Sequence, residues 1–259
     1  MVDPQIHFFE KTFAFIRFKE QHTKCNDLYW HSILTRIMAC KYTKHQAIKP
    51  KDSPRLMLES ENRHLEYSFG IWKSKIDSSE NWVRLNSLLI LNSYFEQYFY
   101  ETITLALANR PSLILGDMNT INGVMFLKQG ISIPQLNQIA EQMTKGGWHK
   151  RYSLFRNTFN LNILSDLEIN KLDEIRNIRN QIAHRFGKKF KSDYILFFDR
   201  EEQIHISEKR MLSYLQFIEQ TALKIDSNII NYIGNFELLI LWHNRDVRLA
   251  PKPGQVALV

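Results

Sequence analysis

The chain has 259 residues, 44% of them hydrophobic and 24% charged, the balance of a globular protein and not of a disordered one. Its net charge of +7, from 34 Lys and Arg against 27 Asp and Glu, is compatible with an anionic partner. Two cysteines, Cys25 and Cys40, exclude a disulfide framework, and no C-x-x-C pair points to zinc.

The first residues, MVDPQIHFFEKTFAF, lack the basic start, apolar run and cleavage site of a signal peptide. No uncharged apolar run is long enough to span a bilayer. The expectation is a cytoplasmic protein with no membrane partner. Only 9 Gly and 7 Pro occur, with no fixed repeat, so long periodic segments favour a mainly helical, all-α fold.

Residues 6–40 read as one or two helices, with Leu28, Trp30, Ile33, Leu34, Ile37 and Met38 forming an apolar stripe. Residues 41–56 are polar and basic and carry Pro50 and Pro54, as a linker does. This sets 1–56 apart as an N-terminal helical extension and linker. A main domain over 57–243 and a flexible tail over 244–259 follow. Leu58, Leu65, Phe69, Trp72 and Ile76 predict a helix over 57–76, and Asp77 with Glu80 resembles the start of another. A strongly apolar helix then runs from about 81 to 109 and ends before Pro111. Residues 111–132 read as loop. Ser132 and Pro134 open a helix that Gly146 and Gly147 close. Residues 148–160 form a short basic and aromatic helix.

Ser165 and Glu168 have capping-box spacing, and Ile169, Leu172, Ile175, Ile178 and Ile182 recur every three or four residues behind them. Gly187 stands where a C-terminal cap belongs. Residues 193–206 read as a small β-hairpin or extended arm. Ser207 starts a last helix that reaches Ile233 and is capped by Gly234.

The positive charge is local. From Arg176 to Lys191 there are six cations, Arg176, Arg179, Arg185, Lys188, Lys189 and Lys191, and no acid. A second acid-free stretch, Lys145 to Arg156, holds Lys150 and Arg151. Its Trp148, Tyr152 and Phe155 read equally as base-stacking platforms or as the packed side of an amphipathic element.

Within the first stretch Arg179, Asn180 and His184 stand beside the apolar stripe. Asn180 and His184 are four apart and share a face. A guanidinium forks onto two phosphate oxygens, and an imidazole moves a proton near neutral pH. RNA brings its own nucleophile, the 2′-OH, so the pair suits phosphodiester cleavage with no metal and no cofactor. The competing reading is a solvated helix face whose cations favour a helix C-terminus.

The segment E-I-R-N-I-R-N-Q-I-A-H-R-F-G, followed by an extended segment and a long helix, resembles the HEPN family. Its signature is an Arg, a polar residue and, after three more residues, a His. S-Y-F-E-Q-Y-F, from Ser93 to Phe99, resembles the family's first core helix, and the resemblance covers about 57–233. It implies a helical bundle that dimerises through its motif helices into a metal-independent endoribonuclease. Arg179 and His184 would be the catalytic pair, Asn180 the intervening polar residue and Glu96 a possible supporting acid. Arg176, Arg185, Lys188, Lys189, Lys191, Lys150 and Arg151 would contact RNA. Family members act as toxins and antiviral effectors, so an antitoxin or regulatory protein is an expected partner beside RNA and a second copy. Phe186 stands where one subgroup carries a modified Tyr, so that control is not expected. Some members are non-catalytic binding or dimerisation modules, which is the alternative reading.

Overall fold

Aromatic and aliphatic residues at three- and four-residue steps decide where the long helices run. The computed structural model describes residues 10–45, 56–60, 63–67, 69–115, 133–185 and 204–238, and most of them are helical. In chain order come α1 (Phe13–His45), β1 (Leu56–Ser60), β2 (Arg63–Tyr67), α2 (Phe69–Asn109), α3 (Ser112–Leu115), α4 (Ile133–Thr144), α5 (Trp148–Phe159), α6 (Asp166–Arg185) and α7 (Glu208–Ile233).

Three expectations change. Residues 56–60 and 63–67 pair as antiparallel strands, with Leu56 opposite Tyr67 and Leu58 opposite Leu65, and not as part of a helix. Apolar residues at 56, 58, 65 and 67 also satisfy the period of two, which a short helical count overlooks. The start expected at Asp77 is absent, because α2 runs unbroken from Phe69; Glu80 pairs instead with Arg36 and, at 3.5 Å, with Arg84. The α1 stripe also divides. Ile33 is buried, while Leu28, Trp30, Leu34, Ile37 and Met38 are 40–71% exposed. Phe18, His22, Cys25 and Tyr29 set the inward edge of α1, and the other apolar residues fall outside it. The hairpin or arm expected over 193–206, the cap at Gly187 and the tail over 244–259 lie outside the described residues, apart from 204–206, which have no regular secondary structure.

The chain divides into two units whose boundaries fall inside α1, α2, α6 and α7. The first comprises residues up to Glu20, Tyr94–Glu174 and those from Ile218 on. Its core is aromatic: Phe18 against Phe95, Phe95 and Phe99 against Trp148, and Phe155 between Phe99 and Phe159. Ring pairs at such spacing add to the area they bury. Tyr98 donates its hydroxyl to the Ala222 carbonyl at 3.0 Å, and Tyr232 donates to that of Phe159 at 2.6 Å.

The start of α1 belongs to this unit and has no acid in its own first turn. Its unpaired amides find carboxylates from the far end of the chain. Phe13 and Ala14 donate to Glu237 at 2.7 and 3.1 Å, and the Thr12 amide and hydroxyl donate to Asp226 at 3.4 and 2.5 Å. Both acids are buried.

The second unit comprises Gln21–Ser93 and Ile175–Phe217. Tyr29, Leu85, Leu88, Ile175, Ile178, Met211 and Tyr214 are buried in it. Asn81 serves as a two-way clasp: its amide donates to the Ile204 carbonyl at 2.7 Å, and its oxygen accepts from the Ile206 amide at 3.0 Å. That fixes the entry to α7, whose Ser207 hydroxyl accepts from the Arg210 amide at 3.3 Å. Cys25 is buried and its thiol donates to the Ser87 carbonyl at 3.5 Å; burial pushes that thiol up to about 11, so it packs as a small apolar residue.

Burial pushes the Asp226 carboxyl up from 3.8 to about 6, against the Thr12 bonds and the Lys11 charge, with Glu237 adding to the rise. A raised folded-state value means the folded chain holds the extra proton. The resulting stabilisation is complete below the unfolded value of 3.8 and is lost as pH rises through about 6. Urea unfolding at pH 4, 5, 6 and 7 (conditions spanning roughly that window) should show Asp226→Asn gaining on the natural chain with rising pH, by about 2 kcal/mol over that range. A constant difference between the two proteins would refute the assignment.

Candidate functional site

The site helix is α6, and its sequence fixes its start, its buried edge and its charged end. At the start the capping box closes: the Ser165 amide and hydroxyl both donate to Glu168 at 2.8 Å, and the Glu168 amide donates back to the Ser165 hydroxyl at 3.4 Å. Lys224 on α7 donates to both Glu168 oxygens at 3.0 and 3.1 Å. Burial pushes the Glu168 carboxyl up, but the Ser165 and Lys224 contacts outweigh it and hold it below its ordinary value. Asp166 and Glu168 in the first turn also complement the helix dipole.

The buried edge is the one the sequence predicts. Ile169, Leu172, Ile175, Ile178 and Ile182 are all buried, whereas Leu167 is exposed. Beyond Glu174 the helix has no acid and carries Arg176, Arg179, His184 and Arg185. This half of α6 belongs to the second unit.

Arg179 Nη1 donates to Asn180 Oδ1 at 3.0 Å, and both side chains are half-buried. The bond matters because the two Cα positions differ by about 100° around the helix. It draws the guanidinium toward the face that Asn180 shares with His184. His184 lies one turn further on and is exposed. Arg176 is half-buried. A half-buried guanidinium, an amide that orients it and an accessible imidazole make a local arrangement able to hold an anion and move a proton.

The other predicted positions distribute differently. Arg185 closes α6, with its side chain outside the described residues, as are Lys188, Lys189 and Lys191. Lys150 is exposed on α5. Arg151 is turned inward, with only 7% of its side chain exposed. Its Nη1 donates to Glu96 at 2.9 Å, its Nε donates to the Gly146 carbonyl at 2.9 Å, and the guanidinium lies over the Trp148 ring. The RNA contact expected of Arg151 therefore gives way to an interior ion pair. Glu96, expected as a supporting acid, is the other half of that pair and sits in the first unit. Trp148, Tyr152 and Phe155 are buried too, so the packed reading of that stretch holds over the base-stacking one. The Tyr152 hydroxyl accepts from the Ile163 and Leu164 amides at 2.6 and 2.8 Å and steers the chain into α6.

Two positioning features went unread in the sequence. Asp173 accepts the Trp148 amide at 2.8 Å and so fastens α5 to α6. His149 joins Asn170 at 2.8 Å in the same way. A lone acid or His on a polar helix face carries no sequence signal for such a partner.

Among the described residues no group of three or more His, Cys, Asp or Glu is arranged to hold a metal ion. Among them no helix is long and apolar enough to cross a membrane. No family model, curated protein or solved structure matches the chain.

Replacing Arg151 by Ala should remove a guanidinium from the Glu96 carboxylate and from the Trp148 ring, and lower the unfolding free energy by about 3 kcal/mol. Lys150→Ala, one residue away and exposed, should leave it within about 0.5 kcal/mol. Chemical denaturation of the two variants checks the pair, and equal effects would contradict the interior role of Arg151.

Proposed function

We propose that the protein is a metal-independent endoribonuclease of the HEPN type, with its chemistry on the C-terminal half of α6. The observation that carries this reading is the Arg179–Asn180 hydrogen bond beside an exposed His184, on a helical stretch without acids. The resemblance of the segment from Glu174 to Gly187 to the family motif adds its support.

In the proposed reaction the ribose 2′-oxygen attacks the adjacent phosphorus. The P–O2′ bond forms as the P–O5′ bond breaks, the 2′-OH proton is lost, and the departing 5′-oxygen takes one up. In this proposal His184 accepts the first proton, and a second imidazole, acting as the acid, supplies the other. Arg179 neutralises the charge that builds on the non-bridging oxygens, and Asn180 keeps the guanidinium aimed. The products are a 2′,3′-cyclic phosphate and a 5′-OH. A second copy that brings its own α6 would supply the second imidazole and double the cationic field. RNA is the proposed substrate, and a toxin or antiviral role with an inhibitory partner protein follows from the resemblance.

Purified protein should cleave total RNA in EDTA. His184→Ala should lower the rate by at least about 100-fold, and Arg179→Ala by a similar factor, with unfolding curves unchanged. RNA binding without cleavage, or cleavage indifferent to both variants, assigns the chain instead to the non-catalytic binding class.

A further inference from the structure

The outer face of α1 is apolar in its middle and oppositely charged at its two ends. Trp30, Leu34, Ile37 and Met38 are 41, 52, 40 and 63% exposed. At about 100° per residue, positions 27, 30, 31, 34, 37, 38 and 41 all fall within about 60° of Leu34. Their three- and four-residue steps are those of a coiled-coil seam over two heptads. An ordinary solvated face would carry charges here. Between Asp27 and Lys41 the sequence holds one Arg and no Lys, Asp or Glu. That residue, Arg36, is half-buried and paired with Glu80 on α2. The four open side chains amount to roughly 400 Å² of apolar surface, as much as the largest patch on a typical monomer.

Asp27 and Lys41 are both exposed, and each stands seven residues from Leu34, about 10.5 Å along the axis. A two-fold axis at Leu34, perpendicular to α1, therefore sets Asp27 against Lys41 of the partner subunit, and Lys41 against Asp27 of the partner subunit. The same operation sets Trp30 against Met38 of the partner subunit. A parallel pairing would instead set like charges together. His31 also lies on this face, and its Nδ1 is 2.7 Å from the Asp27 carbonyl of the same helix. The four side chains alone supply about half of the roughly 800 Å² per partner of a standard interface.

We propose that this face of α1 is a self-association surface, on which a second copy of the chain packs antiparallel about Leu34. The contact is separate from the α6 pairing of the nuclease reading and does not rest on it, since a chain without cleavage activity would still associate this way. The test is sedimentation equilibrium of the full chain. Leu34→Asp, at an exposed position that leaves the core intact, should halve the mass of the assembly while the helical circular dichroism stays unchanged. Asp27→Lys alone, and Lys41→Asp alone, should each weaken association about tenfold by setting like charges together. Asp27→Lys combined with Lys41→Asp should restore it. A natural chain that is monomeric throughout, an assembly indifferent to Leu34→Asp, or a double exchange that fails to restore association would overturn the proposal. So would monomeric protein that binds phosphatidylglycerol vesicles through Leu34, which would assign the face to lipid.

Discussion

Helix α6 must be apolar along one edge and ionic along the rest, and the candidate site depends on how those demands are met. Five buried aliphatic residues, Ile169, Leu172, Ile175, Ile178 and Ile182, fix which way the helix faces. The Ser165–Glu168 box and Lys224 fix where it begins. Rotation about the axis and translation along it are then both set, so Arg179, Asn180 and His184 have no choice of face. A helix with strong caps but no stripe could turn, and one with the stripe alone could fray at its start.

Electrostatics divides along the same helix. Its acids, Asp166, Glu168, Asp173 and Glu174, fall in the first half, and its Arg and His residues fall in the second. The acids have structural tasks: Glu168 closes the cap, and Asp173 holds the Trp148 amide. Each half also suits its end of the helix dipole. The segregation leaves the second half of α6 as a cationic surface with no acid of its own. The interior pair Arg151–Glu96 illustrates the contrast. There a cation is desolvated, neutralised and laid over Trp148, a building role and not a binding one.

How far the residues announce this arrangement depends on the range of the interactions. Local signals read correctly: the box at Ser165 and Glu168, the isoleucine stripe of α6, the end of α2 before Pro111, and Gly234, whose positive φ of 52° closes α7. Long-range pairings did not read. Asp226 and Glu237 cap a helix more than 200 residues away, and Asn81 binds backbone at 204 and 206. Arg151 looked like a surface cation because composition cannot say which of two adjacent cations faces Glu96. Over 57–67 the spacing satisfied two periods, and pairing between the strands chose the one that sequence counting did not. The α1 stripe failed for another reason. A helix can be apolar on two sides, and only packing tells which side is inside. At the candidate site Arg179, Asn180 and His184 were legible from spacing; the hydrogen bond that draws Arg179 toward Asn180 was not.

The central claim is that the ribose 2′-oxygen is the nucleophile and the residues of α6 serve it. The most direct measurement uses a short RNA with one cleavage position, compared with the same RNA carrying a single 2′-deoxy sugar there, in EDTA, with fragment ends identified by mass spectrometry. The account predicts a 2′,3′-cyclic phosphate and a 5′-OH from the all-ribose strand, and no cut at the deoxy position. Cleavage of both strands at equal rates, or fragments ending in a 3′-OH and a 5′-phosphate, would contradict it.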